Sequence, residues 1–259
     1  MNAAYRDEGS ITIRINDQER MIPFSRQREI LLNAQDHGEA AWHVQKITAE
    51  FVKGYDFLQR FSRSVTFFGS ARRGFPDSVY QEAEQLAGFC AKMGFAVFTG
   101  GGPGIMEAAN KGAKEAGGVS IGININLPKQ GNHLTERRNP YIDEAESFDF
   151  FFSRKVILSF ASQFYIFFPG GFGTMDELFE MLTLVQTKKT SPVPIILVGR
   201  EFWAPLVDFI TNTIYRYGNA ISEDDLQLFH VADDAEGAMR FITDCLAHGE
   251  HTTHDHPTA

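Results

Sequence analysis

Short, almost wholly apolar segments alternate with stretches of helical periodicity along most of this 259-residue chain. The apolar segments fall at 65–68, 96–98, 120–125, 148–152, 165–168, 193–198 and 228–231. A strand that is apolar on both faces needs cover on both, and interleaved helices supply it. The pattern therefore predicts an α/β fold with a doubly wound parallel sheet between two helical layers. Helices are expected over 77–93, where Val79, Ala83, Leu86, Cys90 and Met93 form one stripe, and over 174–186, with Met175, Leu178, Leu182 and Val185 facing inward. Others should begin at about 105, 153, 202 and 235.

Ahead of the alternation, residues up to about 35 are charged and weakly patterned, and read as a loosely held arm. From 39 to 61 the positions Val44, Ile47, Phe51, Tyr55 and Leu58 recur at steps of three and four, which predicts one long helix. The expected organisation is an N-terminal arm and helix (1–61), a single catalytic domain (62–248) and a disordered tail (249–259) holding His251, His254 and His256. The irregular stretch 126–146 is longer than an ordinary connection and is a candidate lid.

A formal net charge of −9 argues against wrapping a nucleic-acid backbone, which requires a basic field. Cys90 and Cys245 are the only cysteines, each within an apolar helical pattern, so a disulfide scaffold is not expected. The first twenty residues lack an apolar signal-like run, and no segment approaches the ~20 apolar residues of a membrane span. The expectation is a cytoplasmic protein.

Two of the strand-to-helix junctions are rich in glycine: Thr99-Gly-Gly-Gly-Pro-Gly-Ile-Met106 and Pro169-Gly-Gly-Phe-Gly-Thr-Met-Asp-Glu177. Such turns let backbone approach a ligand, and the unpaired N–H groups that open the next helix favour an anion. In a doubly wound sheet these junctions lie beyond the carboxyl ends of the strands, where ligands bind. Gly69, Ser70, Gly101, Gly102, Gly104, Met106 and Arg154 are expected at the same edge as Pro169 to Thr174. No register of the first turn gives G-x-G-x-x-G, and neither turn is followed by the Lys-Ser or Lys-Thr of a Walker A loop, so a mononucleotide is favoured over NAD or ATP. Thr174-x-x-Glu177 also fits a capping box, and Arg154-Lys155 also fits a pair of solvated charges. Cations at a helix start are electrostatically unfavourable, however, and an anionic partner would explain them. Ser70, Arg72 and Asn126 are weaker pocket candidates.

Pro169-Gly170-Gly171-Phe172-Gly173-Thr174-Met175-Asp176-Glu177 resembles the P-G-G-x-G-T-x-x-E signature of the Lonely Guy family, the phosphoribohydrolases that cleave cytokinin riboside monophosphates. Gly100 to Met106 matches the family's earlier glycine-rich turn, and Arg154-Lys155 stands where the family has its Arg-Lys pair. The resemblance runs from about 65 to 209. It implies a Rossmann-like homodimer that hydrolyses the N-glycosidic bond of a nucleoside 5′-monophosphate to free base and ribose 5-phosphate, without metal or other cofactor. It further implies that Arg154 and Glu177 are catalytic, and that Gly170, Gly171, Gly173 and Thr174 bind the phosphate, with Lys155 among the substrate contacts. Many compact members have Met-His two and three places before the Arg, whereas this chain has Phe151-Phe152. With its N-terminal extension and the loop from Asn126-Leu127-Pro128 onward, it is similar to a longer bacterial branch. AMP is then as fitting a substrate as a cytokinin riboside monophosphate. Members of the family have been labelled lysine decarboxylases, but nothing here marks a Schiff-base lysine in a cofactor pocket. The rival expectation is a non-catalytic nucleotide or molybdenum-cofactor carrier of the same fold.

Overall fold

The computed structural model describes residues 10–15, 18–23, 37–126 and 138–249. The chain divides into two compact units, residues 1–52 and 53–259. In the first, β1 (Ser10–Ile15) and β2 (Gln18–Pro23) form an antiparallel pair with Ile15 opposite Gln18. The sequence reading has no strand here and treats the segment as a loosely held arm. The overlooked signal is the period-two run Ile11, Ile13, Ile15 ahead of Asn16-Asp17, a strand followed by hairpin-turn residues. Helix α1 (His37–Leu58) follows, as the three-and-four spacing predicts.

The second unit is built on seven parallel strands: β3 (Ser64–Phe68), β4 (Ala96–Thr99), β5 (Ser120–Ile125), β6 (Glu144–Phe148), β7 (Phe164–Phe167), β8 (Ile195–Val198) and β9 (His230–Ala232). Their order across the sheet is β6-β5-β4-β3-β7-β8-β9, with every neighbouring pair parallel. The helices are α2 (Asp77–Lys92), α3 (Ile105–Glu115), α4 (Phe151–Ser159), α5 (Phe172–Gln186), α6 (Arg200–Asp208), which runs on as π-helix over Phe209–Tyr217, and α7 (Ala235–Gly249). This is the Rossmann-like doubly wound sheet that the apolar strands predict.

All residues of β3, β4, β5, β7 and β8 are buried, which is why these strands read as mostly apolar segments, broken only by small polar residues and Asn124. Val65, Phe67, Ile166, Phe168, Ile196 and Val198 point toward the layer of α2, α3 and α7, where they pack with Leu86, Cys90, Ile105 and Ile242. Burial pushes the Cys90 thiol up to about 12, leaving it an inert packing group. No helix among the described residues is long and apolar enough to cross a membrane.

The strand expected at 148–152 is displaced. The sheet takes Glu144–Phe148, and Phe151 already opens α4. β6 is an edge strand with four half-buried positions, so it carries Glu144 and Glu146 and lacks the apolar run used to find the others. The remaining part of the candidate lid, 127–137, and the tail beyond 249 lie outside the described residues.

The opposite edge strand, β9, carries a pH-sensitive group. His230 stacks on Phe241 with ring centroids 3.9 Å apart. Burial, together with the neighbouring Arg200 charge, holds its pKa below the ordinary 6.5, with Asp233 opposing. The unfolded chain therefore binds the proton more readily than the folded one. The neutral ring's contribution to stability is present above about pH 6.5 and is lost as the pH falls below that value. Thermal unfolding of the wild type should lose stability between pH 7.5 and 5.5 more steeply than that of His230→Phe, and parallel pH dependences would exclude the effect.

Candidate functional site

Because the strands are parallel, the carboxyl ends of β3, β4, β5 and β7 open on one edge, and the order reverses between β3 and β7. Ser70, just past β3, fastens the two glycine-rich turns together at this switch point. Its N–H donates to Pro169 O (3.1 Å), and its carbonyl accepts the Ile105 N–H (3.0 Å) that opens α3. Its hydroxyl closes a local turn with Arg72, accepting from Arg72 N at 3.1 Å and donating to Arg72 O at 3.0 Å. Gly69 is required by packing, since a Cβ there would come within 2.7 Å of Ile105.

The first turn is buried. Gly101, Gly102, Gly104 and Met106, expected among the substrate contacts, are buried, and the Gly101 N–H and the carbonyls of Gly101, Gly102 and Gly104 are taken up by hydrogen bonds within the protein. Gly104 has φ +71°, and a Cβ would collide with Ser70 O; Gly101 has φ +76°, and a Cβ would collide with the Asn124 carboxamide. Gly101 N–H donates to Thr99 Oγ1 (2.9 Å), which donates to Asn110 Oδ1 (2.6 Å). Asn139 Nδ2 donates to the same oxygen (2.9 Å) and to Gly102 O (3.0 Å), while Asn139 N–H donates to Gly101 O (3.0 Å). This polar lattice fixes the loop, and the sequence reading missed both asparagines. Asn110 sits in the middle of a predicted helix and Asn139 in a stretch read as irregular, so no local pattern marks either.

Arg154 lies over this turn. It is the fourth residue of α4, only 6% exposed, and its Nε donates to Ile123 O at 2.9 Å. A Cβ on Gly100 would collide with its Nη2. The alternative of a solvated surface charge is thereby excluded. A buried cation is costly unless hydrogen-bonded or paired, and the Ile123 carbonyl offsets part of that cost. Lys155 is used differently: it bridges to Asp176 (2.7 Å) and Glu180 (3.5 Å) on α5. Burial opposes its charge, but these two carboxylates outweigh it and raise its pKa above the ordinary 10.5. Lys155 thus ties α4 to α5, the helices that carry Arg154 and Glu177.

The second turn is open. α5 begins at Phe172 with Gly171 as its N-cap in extended geometry, and no side chain caps it. Phe172 is 97% exposed, and a Cβ at Gly171 or Gly173 would meet nothing within 4 Å. Thr174 is buried, and a Cβ on Gly170 would collide with its hydroxyl, so glycine is needed there to seat Thr174. Since Thr174 is the third residue of the helix and not its N-cap, the capping-box alternative for Thr174 and Glu177 does not apply. Glu177 follows one turn later and is half-buried. Of the weaker candidates, Arg72 is exposed, and Asn126 donates to Asp149 Oδ1 (2.8 Å).

Fold and edge together define a Rossmann-like α/β protein with two glycine-rich turns joined at its switch point. Within that class, the chain belongs to the family whose model is described as "Possible lysine decarboxylase", which matches residues 106–242, more than half of its length, and to which the Lonely Guy proteins belong. Curated relatives include the cytokinin riboside 5′-monophosphate phosphoribohydrolase of Rhodococcoides fascians, 25% identical over 181 residues (70% of this chain, 89% of the relative). That of Arabidopsis thaliana is 29% identical over 161 residues (60% and 71%). Among solved structures, the molybdenum cofactor carrier protein of Chlamydomonas reinhardtii shares the fold, with TM-score 0.53 and 24% identity (71% of this chain, 98% of that one). The molybdenum cofactor binding protein of Rippkaea orientalis aligns with TM-score 0.50 and 25% identity (71% and 95%). The names of the curated relatives support a hydrolase role at the level of the family.

Proposed function

We propose that this protein hydrolyses the N-glycosidic bond of a purine nucleoside 5′-monophosphate, releasing the base and ribose 5-phosphate. The observation that carries the reading is the exposed, uncapped start of α5. Its free N–H groups and Thr174 suit a phosphate, and it places a carboxylate, Glu177, one turn further on. Binding energy from the phosphate then positions the sugar, remote from the bond that breaks.

Cleavage of the C1′–N bond sends its electron pair to the base and leaves an oxocarbenium-like sugar. Glu177 stabilises that cation and accepts a proton from the attacking water, whose oxygen bonds to C1′. Arg154, permanently charged, stabilises the negative charge developing on the departing purine, which takes up a proton on leaving. The exposed Phe151 and Phe152 on α4, Phe160 just past its end and Phe179 on α5 fit cover by a second copy of the chain, the homodimer that the resemblance implies.

The test is incubation of the pure protein with AMP, followed by chromatography for adenine. Stoichiometric adenine and ribose 5-phosphate are expected. The carrier alternative draws on the molybdenum-cofactor proteins that share the fold. Tight molybdopterin binding with no base released from any nucleoside monophosphate would establish it instead.

A further inference from the structure

Asn124 is buried, with 8% of its surface exposed, and its Oδ1 is the one buried side-chain polar atom among the described residues without a hydrogen-bond partner. A carbonyl oxygen enclosed in this way costs on the order of 1–3 kcal/mol relative to a satisfied one. Leucine or isoleucine would fill a β-strand position without that cost. The surrounding backbone is also shaped to admit the carboxamide. A Cβ on Gly101 would collide with it, and one on Gly122 would stand 2.9 Å from Oδ1. Two glycines, one in the first turn and one on β5 itself, thus leave room for an amide that bonds to neither.

Its place in the sheet says which part of a ligand it meets. Asn124 is the penultimate residue of β5, next to Ile123, whose carbonyl holds Arg154. The α5 turn follows β7, and β3 and β4 lie between β7 and β5. At about 4.8 Å per strand, those three steps span about 14 Å, comparable to the length of a purine mononucleotide from phosphate to the far edge of its base. With the phosphate at Gly170–Thr174, the end that reaches β5 is the base.

We propose that Asn124 reads the base, accepting a hydrogen bond from the exocyclic amine of adenine at Oδ1 and donating one from Nδ2 to the adjacent ring nitrogen. This inference rests on the nucleotide reading given above and narrows its substrate to a 6-aminopurine. The pairing is the bidentate match of an asparagine to the N6–N7 edge of adenine. A half-turn about χ2, a two-fold torsion, is sufficient to bring either end of the carboxamide to face the ligand. Hypoxanthine offers two acceptors, O6 and N7, along the same edge, and leaves Oδ1 unpaired. Discrimination by one such pair is on the order of ten- to a hundredfold.

The experiment measures equilibrium binding of AMP and IMP to the full-length chain by titration calorimetry, in a Glu177→Gln background so that nucleotide is not consumed. AMP is expected to bind at least about tenfold more tightly than IMP. Asn124→Leu should bring the ratio to near one by weakening AMP while leaving IMP little changed. Asn124→Ala, which removes the carboxamide without adding volume, provides the same comparison should the leucine variant not fold, and its ratio should also fall. A merely structural asparagine would weaken both nucleotides alike. Equal affinities in the parent, or an unchanged ratio in a folded variant, overturn the proposal. Adenine release with an unchanged ratio removes Asn124 but leaves the hydrolase. The expected ratios without base release from any nucleotide remove the hydrolase but leave Asn124. Failure to bind either nucleotide removes both.

Discussion

Glu177→Gln is expected to bind AMP about as well as the wild type and to release adenine about a thousandfold more slowly. Glutamine preserves the length, volume and helix propensity of the side chain, so α5 and its exposed N-terminus should be unaltered. What is lost is the negative charge and the ability to take a proton. General-base assistance is typically worth 10²–10⁴-fold, and stabilisation of an oxocarbenium-like sugar requires the same charge. In the proposed binding mode the phosphate is held by Gly170 to Thr174, one turn earlier, so the loss should appear in kcat and leave KM nearly unchanged. Steady-state rates with AMP and calorimetric affinity for it, measured on the same preparation, separate the two. Wild-type turnover by the variant would remove Glu177 from the chemistry. A loss confined to binding would make it a substrate-positioning group.

Arg154→Ala should lose activity on a similar scale, and it should also unsettle the fold. The guanidinium is buried, donates to Ile123 O and lies against Gly100. Its removal forfeits a charge-assisted hydrogen bond, worth about 1.5–3 kcal/mol, and opens a void at the strand ends. A drop in rate could therefore arise from loosening alone. Gly100→Ala separates the two effects, because the new methyl group would collide with Nη2 and displace the guanidinium while leaving the cation in the protein. If Arg154 stabilises the departing base, Gly100→Ala should slow adenine release by about 10²-fold, the scale of a misplaced electrostatic group in an active site. Its melting temperature should fall less than that of Arg154→Ala. Arg154→Lys should not restore the rate, because a point charge on a flexible stem does not reproduce the planar fork. Full activity in Gly100→Ala and Arg154→Lys would assign Arg154 to scaffolding.

The two glycine-rich turns look alike as strings of residues and behave differently in three dimensions. The first is enclosed, with Gly101 and Gly104 required by close approaches to Asn124 and Ser70. The second stands open, with Phe172 projecting into solvent between two unhindered glycines. Composition shows only that both turns permit unusual backbone. Whether that freedom serves packing or a ligand depends on what lies opposite, and the opposing residues come from β3 and β5. The same holds for Arg154 and Lys155, adjacent in sequence and similar in charge. One is folded under the strand ends, and the other is consumed by Asp176 and Glu180.

What the sequence determined by itself was the layered architecture and the sheet edge at which the two glycine-rich turns meet. A strand buried on both faces is mostly apolar, with its few polar side chains small or hydrogen-bonded, and helices covering it must carry one apolar stripe. These are local requirements written in consecutive residues, so β3, β4, β5, β7 and β8 could be read directly. The edge strand β6 escaped because half-burial relaxes the requirement, and the N-terminal strand pair escaped because its alternation spans only a few residues. Tertiary structure alone decided which polar groups meet. Asn110, Asn124 and Asn139 converge around one turn from a helix, a strand and a loop, and no periodicity connects positions brought together only by the winding of the sheet.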